Sequence, residues 1–115
     1  MKLFLKSFVY AAEGIKHCIM KERNFIVHCC LAVAVIIAGF LFHVSSMEWM
    51  IILINIGLVS GFEMFNSAVE RLCNLLHPQH HPGVKIIKDV AAGAVLVVSL
   101  IALLCAAIIF LPKIF

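Results

Sequence analysis

Side chains able to carry acid–base or metal chemistry gather in one stretch, Glu63-Met-Phe-Asn66-Ser-Ala-Val-Glu70. It ends an almost wholly apolar run, residues 49–62, long enough to lie within a bilayer. On a helix Glu63, Asn66 and Glu70 fall at i, i+3 and i+7 and share one stripe. A carboxylate taken out of water is costly unless it is paired, metal-bound or protonated. The stripe is therefore either the polar seam of a helix bundle or a site. Two further candidates stand near the ends of apolar runs: Glu22 in Lys21-Glu22-Arg23-Asn24, and Lys88 with Asp89 in Lys85-Ile-Ile-Lys88-Asp89.

The elements that must position these groups follow from composition. The chain has 115 residues, 64% hydrophobic and 13% charged, with a mean hydropathy of +1.15. A soluble domain is about half apolar and about a quarter charged, so a single integral-membrane domain is expected. A spanning helix needs roughly 20 mainly apolar residues, and three runs qualify, placed at 25–46, 47–73 and 84–111. The second is apolar until Glu63, and the third stops at Pro112. No cleaved signal peptide is expected, since the first long apolar run begins only at Phe25 and no small-residue cleavage motif follows it. Residues 1–20 read as an amphipathic helix, lying in the interface or packed on the bundle as a fourth helix, with Phe4, Phe8, Ala12, Ile15 and Ile19 on one side and Gly14 marking a bend. The loop between the second and third spans, with Pro78, Pro82 and Gly83, reads as non-helical.

Eight of the nine Lys and Arg residues precede the first span or lie between the second and third, and only Lys113 is elsewhere. The positive-inside rule then places the N-terminus and the second loop in the cytoplasm and the C-terminus outside. That orientation brings Glu22, Glu63 and Glu70 to one depth, near the cytoplasmic edge. Three helices enclose little alone, so an oligomer with its polar seams turned inward is expected.

Carboxylates are hard oxygen donors suited to Mg²⁺. Lys88 near a helix start offers a point charge and free backbone N–H groups to phosphate. No P-loop and no protein-kinase signature occurs, so any nucleotide site is improvised from helix surfaces. Intramembrane acids also mark ion paths, which keeps a small ion-coupled transporter as the alternative. The other polar features have plainer expectations. His28 is expected to bond backbone or headgroup. Asn55 would be interhelical glue and Ser46 a helix cap. Glu22 would pair with Lys21 or Arg23, and the five cysteines would pack as small apolar residues. His77, His80 and His81 lack a fourth ligand for a tight metal site.

The pattern Glu63-x-x-Asn66-Ser67-Ala68-Val69-Glu70, followed by Lys88-Asp89-x-Ala-Ala-Gly-Ala, resembles the prokaryotic diacylglycerol kinase family, which includes the undecaprenol kinases. Phe8-x-Tyr10-Ala11-x-x-Gly14-Ile15 and Glu22-x-Asn24-Phe25 fit as well, so the resemblance covers essentially the whole chain. It implies phosphorylation of a membrane lipid hydroxyl by MgATP, in homotrimers whose sites are shared between neighbouring subunits. By the same resemblance, Glu63 is the general base facing the lipid substrate, and Glu22 and Glu70 hold Mg²⁺ with the ATP phosphates. Lys88 and Asp89 contact ATP, Asn66 orients the acids, and Tyr10, Gln79, His80 and His81 complete the nucleotide site. One departure stands out: many members carry Asp where this chain has Asn74.

The expected protein is thus an all-α membrane protein, an N-terminal interfacial helix and three transmembrane helices in a homotrimeric bundle. It would act in a bacterial inner membrane on ATP and a lipid alcohol, diacylglycerol or undecaprenol, with Mg²⁺ as cofactor and no nucleic-acid partner.

Overall fold

The computed structural model covers residues 1–115 and is entirely helical: α1 (Lys2–Lys21), α2 (Arg23–Leu41), α3 (Ser46–Leu76) and α4 (Pro82–Ile114). The last three are long and apolar enough to cross a membrane. They run up, down and up, with α3 between α2 and α4 and packed most extensively on α4. Only 11 of the 115 residues are buried, so a single chain has almost no interior, and its apolar faces need lipid or other copies to cover them.

Each break in the chain has a local cause. α1 runs unbroken through Gly14 and ends at Glu22, whose extended backbone (φ −104°, ψ 107°) redirects the chain into α2. α2 ends in a Schellman arrangement: His43 takes a left-handed φ of 52°, its N–H reaches Phe40 O, and Val44 N–H reaches Gly39 O at 3.2 Å. The cap of α3 is Ser45, not Ser46, because Glu48 stands three residues on. Ser45 Oγ accepts from the Glu48 N–H at 3.1 Å and Glu48 Oε1 accepts from the Ser45 N–H at 2.9 Å, a reciprocal capping box. α4 starts two residues earlier than expected, at Pro82, since proline at the first helical position lacks only an N–H that would be unpaired anyway. His81 caps it, Nδ1 accepting from the N–H groups of Gly83 at 3.0 Å and Val84 at 3.4 Å. Pro112 falls inside α4 rather than ending it; so near the C-terminus it costs a single helical hydrogen bond.

The apolar nucleus sits at the Ser45 end. Val44, Ile52 and Ile109 are buried there, with Trp49, Val35 and Phe110 packed around them. Lys113 Nζ closes the same end by donating to Glu48 Oε2 at 2.8 Å. α2 approaches α3 at Gly39, where an added Cβ would lie 2.6 Å from the Trp49 ring. That ring is itself held by Phe40, 4.9 Å away between centroids.

At about 1.5 Å per residue, α3 rises about 46 Å, well beyond a hydrocarbon core of about 30 Å. With Ser46 at one interface, Glu63 lies about 26 Å along the axis, near the opposite edge. The last turns of α3 and the first turns of α4 project past it. Gly39→Val drives a branched side chain into the Trp49 ring and is expected to destabilise the fold by about 1–3 kcal/mol, read as a lower unfolding midpoint in detergent.

Candidate active site

The polar end of the bundle is built where α1 turns into α2 and where α3 and α4 outrun the apolar layer. Glu63 is the one charged side chain buried there, 3% exposed. It shares an inward stripe of α3 with Ile52, Val59 and Ser67, also buried, a helical spacing of seven, four and four. His28 on α2 meets it, Nε2 standing 3.5 Å from Glu63 Oε2. The expected backbone or headgroup partner of His28 is thus replaced by a carboxylate on the neighbouring helix.

Glu22 and Glu70 line one cavity of about 440 Å³, with Ser67, Arg71, Asn74 and Leu75. Glu22 pairs with neither Lys21 nor Arg23. The close turn between α1 and α2 turns its carboxylate to α3, where Arg71 Nε lies 3.3 Å from Oε1. Glu70 is exposed. Cys18, the one buried residue of α1, lies close enough to feel this cluster: burial first, then the Glu22 charge, pushes its thiol pKa up, with Arg71 opposing.

Lys88, half-buried on α4, donates from Nζ to Asn74 Oδ1 at 2.9 Å. The position that departs from the family pattern is therefore the one that holds the candidate phosphate lysine. A carboxamide oxygen accepts that bond without neutralising the ammonium, which stays free to act on an anion.

The remaining expected residues lie less centrally. Asp89 is exposed and paired within its own helix, Lys85 Nζ at 2.6 Å from Oδ2. Asn66 is half-buried, and Ser67, not Asn66, lines the cavity of the acids. Gln79 and His80 are exposed in the loop. His81 is engaged as the α4 cap, its ring 5.0 Å from that of His77. Tyr10 is 65% exposed on α1. Asn55, expected between helices, donates instead to Ile51 O of its own helix at 2.9 Å.

No group of three or more His, Cys, Asp or Glu side chains converges tightly enough to hold a metal ion alone. Two carboxylates on one water-accessible cavity suit Mg²⁺, which keeps several waters or phosphate oxygens and needs only one or two protein carboxylates. A second cavity, about 340 Å³, lies between α2, α3 and α4 and is walled chiefly by apolar side chains, with His28, Asn55, Ser60 and Ser99 among them. His28 belongs to both regions: it lines the apolar cavity and touches Glu63.

His28, Arg71 and Ser67 are the site residues that sequence reasoning missed. A signal for His28 existed: Phe25, His28, Ala32, Val35 and Gly39 alternate by three and four, the inward stripe of α2.

The chain matches the prokaryotic diacylglycerol kinase family over residues 9–110. It is 46% identical over 110 residues to a Bacillus subtilis (strain 168) protein named undecaprenol kinase, covering 96% of this chain and 89% of that one. It is 36% identical over 109 residues to a Synechocystis sp. (strain ATCC 27184 / PCC 6803 / Kazusa) protein named diacylglycerol kinase, covering 94% of this chain and 62% of that one. With a family match over residues 9–110 and a relative 46% identical across 96% of its length, this chain is a member of the prokaryotic diacylglycerol kinase family.

Proposed function

We propose that this protein is a lipid kinase of the inner membrane, moving the terminal phosphoryl group of ATP to the hydroxyl of a membrane lipid alcohol. The observation that carries the proposal is the juxtaposition of a buried Glu63 with the cavity of Glu22 and Glu70. Phosphoryl transfer asks little covalent chemistry of a protein; it asks for positioning and for charge neutralisation. Glu63 accepts the hydroxyl proton as the lipid oxygen attacks the terminal phosphorus of ATP; the new P–O bond forms while the bond to the bridging β-phosphate oxygen breaks and ADP leaves. Its depth lets an acceptor keep its tails in the bilayer while the hydroxyl reaches the carboxylate. The apolar cavity beside His28 offers space for part of such a tail. Glu22 and Glu70 would hold Mg²⁺ with phosphate oxygens, and the ion would supply charge neutralisation there. Lys88, steadied by Asn74, adds a fixed positive charge beside the phosphates.

Asp89, Tyr10, Gln79, His80 and His81 are assigned to nucleotide contacts and Asn66 to orienting the acids. These roles fit a homotrimer in which neighbouring copies complete one another's sites at the cytoplasmic face. The greater identity and coverage of the relative named for undecaprenol make that alcohol the first acceptor to assay, beside diacylglycerol. An ion-coupled transporter would need a continuous polar path, and the space between the three spans is walled mainly by apolar side chains.

ATP consumption in detergent on adding each lipid alcohol tests the activity directly: ADP and phosphorylated lipid appearing together support the proposal, and neither appearing with either alcohol overturns it. Glu63→Gln is expected to lower turnover by at least about a hundredfold with the assembly intact, and wild-type turnover would remove Glu63 as the base. Glu70→Ala should shift the Mg²⁺ titration to higher concentration or abolish activity, whereas an unchanged titration contradicts ligation. Asn74→Leu removes one hydrogen bond to a charged group and should raise the KM for ATP about three- to tenfold while leaving the KM for lipid in place.

A further inference from the structure

We infer that His28 is a positioning residue for the Glu63 carboxylate, acting through its Nε2 from the neighbouring helix; this deepens the lipid-kinase proposal and rests on Glu63 being its base. Four of the six acids have a basic side chain in contact. Glu22 faces Arg71, Glu48 faces Lys113 and Asp89 faces Lys85, all permanent cations, and Glu63 alone faces an imidazole.

That difference matters chemically. A lysine or arginine against a buried carboxylate holds it ionised and makes it a poor proton acceptor. A neutral imidazole donates one N–H, fixes one carboxylate oxygen and leaves the other with its basicity. A glutamate has three side-chain torsions and so needs such a fixed contact to aim a lone pair at an incoming hydroxyl. The separation of 3.5 Å is longer than a closed hydrogen bond, as is common where a catalytic contact tightens only with substrate present. The like charges acting on Glu63 are those of Glu22 and Glu70, and Cys18 faces the same cluster from α1. The two carboxylates have no donor to offer, and the Cys18 thiol, a weak donor, makes no hydrogen bond to Glu63. His28 is also placed to matter, since it stands between Glu63 and the apolar cavity.

Side-chain geometry gives a discriminating test. A glutamine carboxamide nitrogen occupies nearly the place of imidazole Nε2, while that of asparagine matches Nδ1 and falls short of Glu63. With purified full-length protein, MgATP and undecaprenol or diacylglycerol, whichever the wild type phosphorylates, His28→Gln should keep kcat within about threefold of wild type. His28→Asn and His28→Leu should lose about tenfold or more in kcat with an unchanged KM for ATP. His28→Leu also strips the buried Glu63 of its contact and is expected to lower the unfolding midpoint, so the comparison of the Gln and Asn variants, both polar at this position, carries the test. Equal rates in the Gln and Asn variants, or wild-type kcat in the Leu variant, would overturn the inference. Glu63→Gln, measured alongside, separates the two failures: an active Glu63→Gln removes the base and this inference with it, whereas an inactive Glu63→Gln beside a fully active His28→Leu removes only the positioning role.

Discussion

A carboxylate held at the edge of the hydrocarbon layer needs a partner from another helix, and the rest of this molecule is arranged around supplying one. Glu63 cannot be satisfied by its own backbone, whose groups are already spent on the helix. His28 reaches it only because α2 lies close against α3. That closeness is set farther along, where Gly39 lets the Trp49 ring pack directly on the α2 backbone. A small residue near one end of a helix pair thus sets the separation at His28, eleven positions away and about 16 Å along the axis at about 1.5 Å per residue. The turn at Glu22 contributes in the same way, swinging a carboxylate from the α1–α2 junction onto α3.

The two ends of the bundle are finished differently. At the Ser45 end the polar groups are answered within the chain: a two-way capping box, an ion pair from Lys113 to Glu48 and a small apolar nucleus beneath them. At the other end Glu70 has no basic partner and Glu22 leans on a largely exposed arginine. The Lys88 ammonium is held by a neutral oxygen that leaves its charge intact. Groups left partly unsatisfied where solvent and lipid meet are what a polyanionic ligand and a cation can use. The closed end gives the helices their register, and the open end uses it.

Much of this was legible from residue types alone. Hydropathy identified three spans and the helical stripe of Glu63 and Glu70, because period and length survive without coordinates. What was not legible depends on which helix faces which. By sequence His28 is a lone histidine at a span end, although its stripe with Phe25 and Gly39 marks it as inward; its partner lies 35 positions later and no local rule pairs them. By sequence Asn74 is only a departure from the family pattern; its partner is visible only where α4 lays Lys88 across it. The local misses have local causes. Ser45 displaced Ser46 as the cap because the glutamate three residues on completes the box. Pro82 opens a helix rather than excluding one, since the lost N–H has no partner at that position in any case.

The chain by itself remains physically unfinished. Tyr10 is open on α1 and Gln79 and His80 are open in the loop, away from the cavity of the acids. Ser99 presents a buried hydroxyl with no partner within the space between the spans, a cost that hydrocarbon does not relieve. Long apolar faces on every span stand uncovered. Lipid can cover the faces, but it cannot bring Tyr10 or the loop to a phosphate. The proposed assembly of copies would do both at once, packing apolar faces while setting the α1 and loop residues of one protomer over the acids of the next. On that view the sparse interior is not a weakness of the fold: a helix bundle that kept its polar residues for its neighbours would show, in a single chain, this combination of satisfied far end and waiting near end.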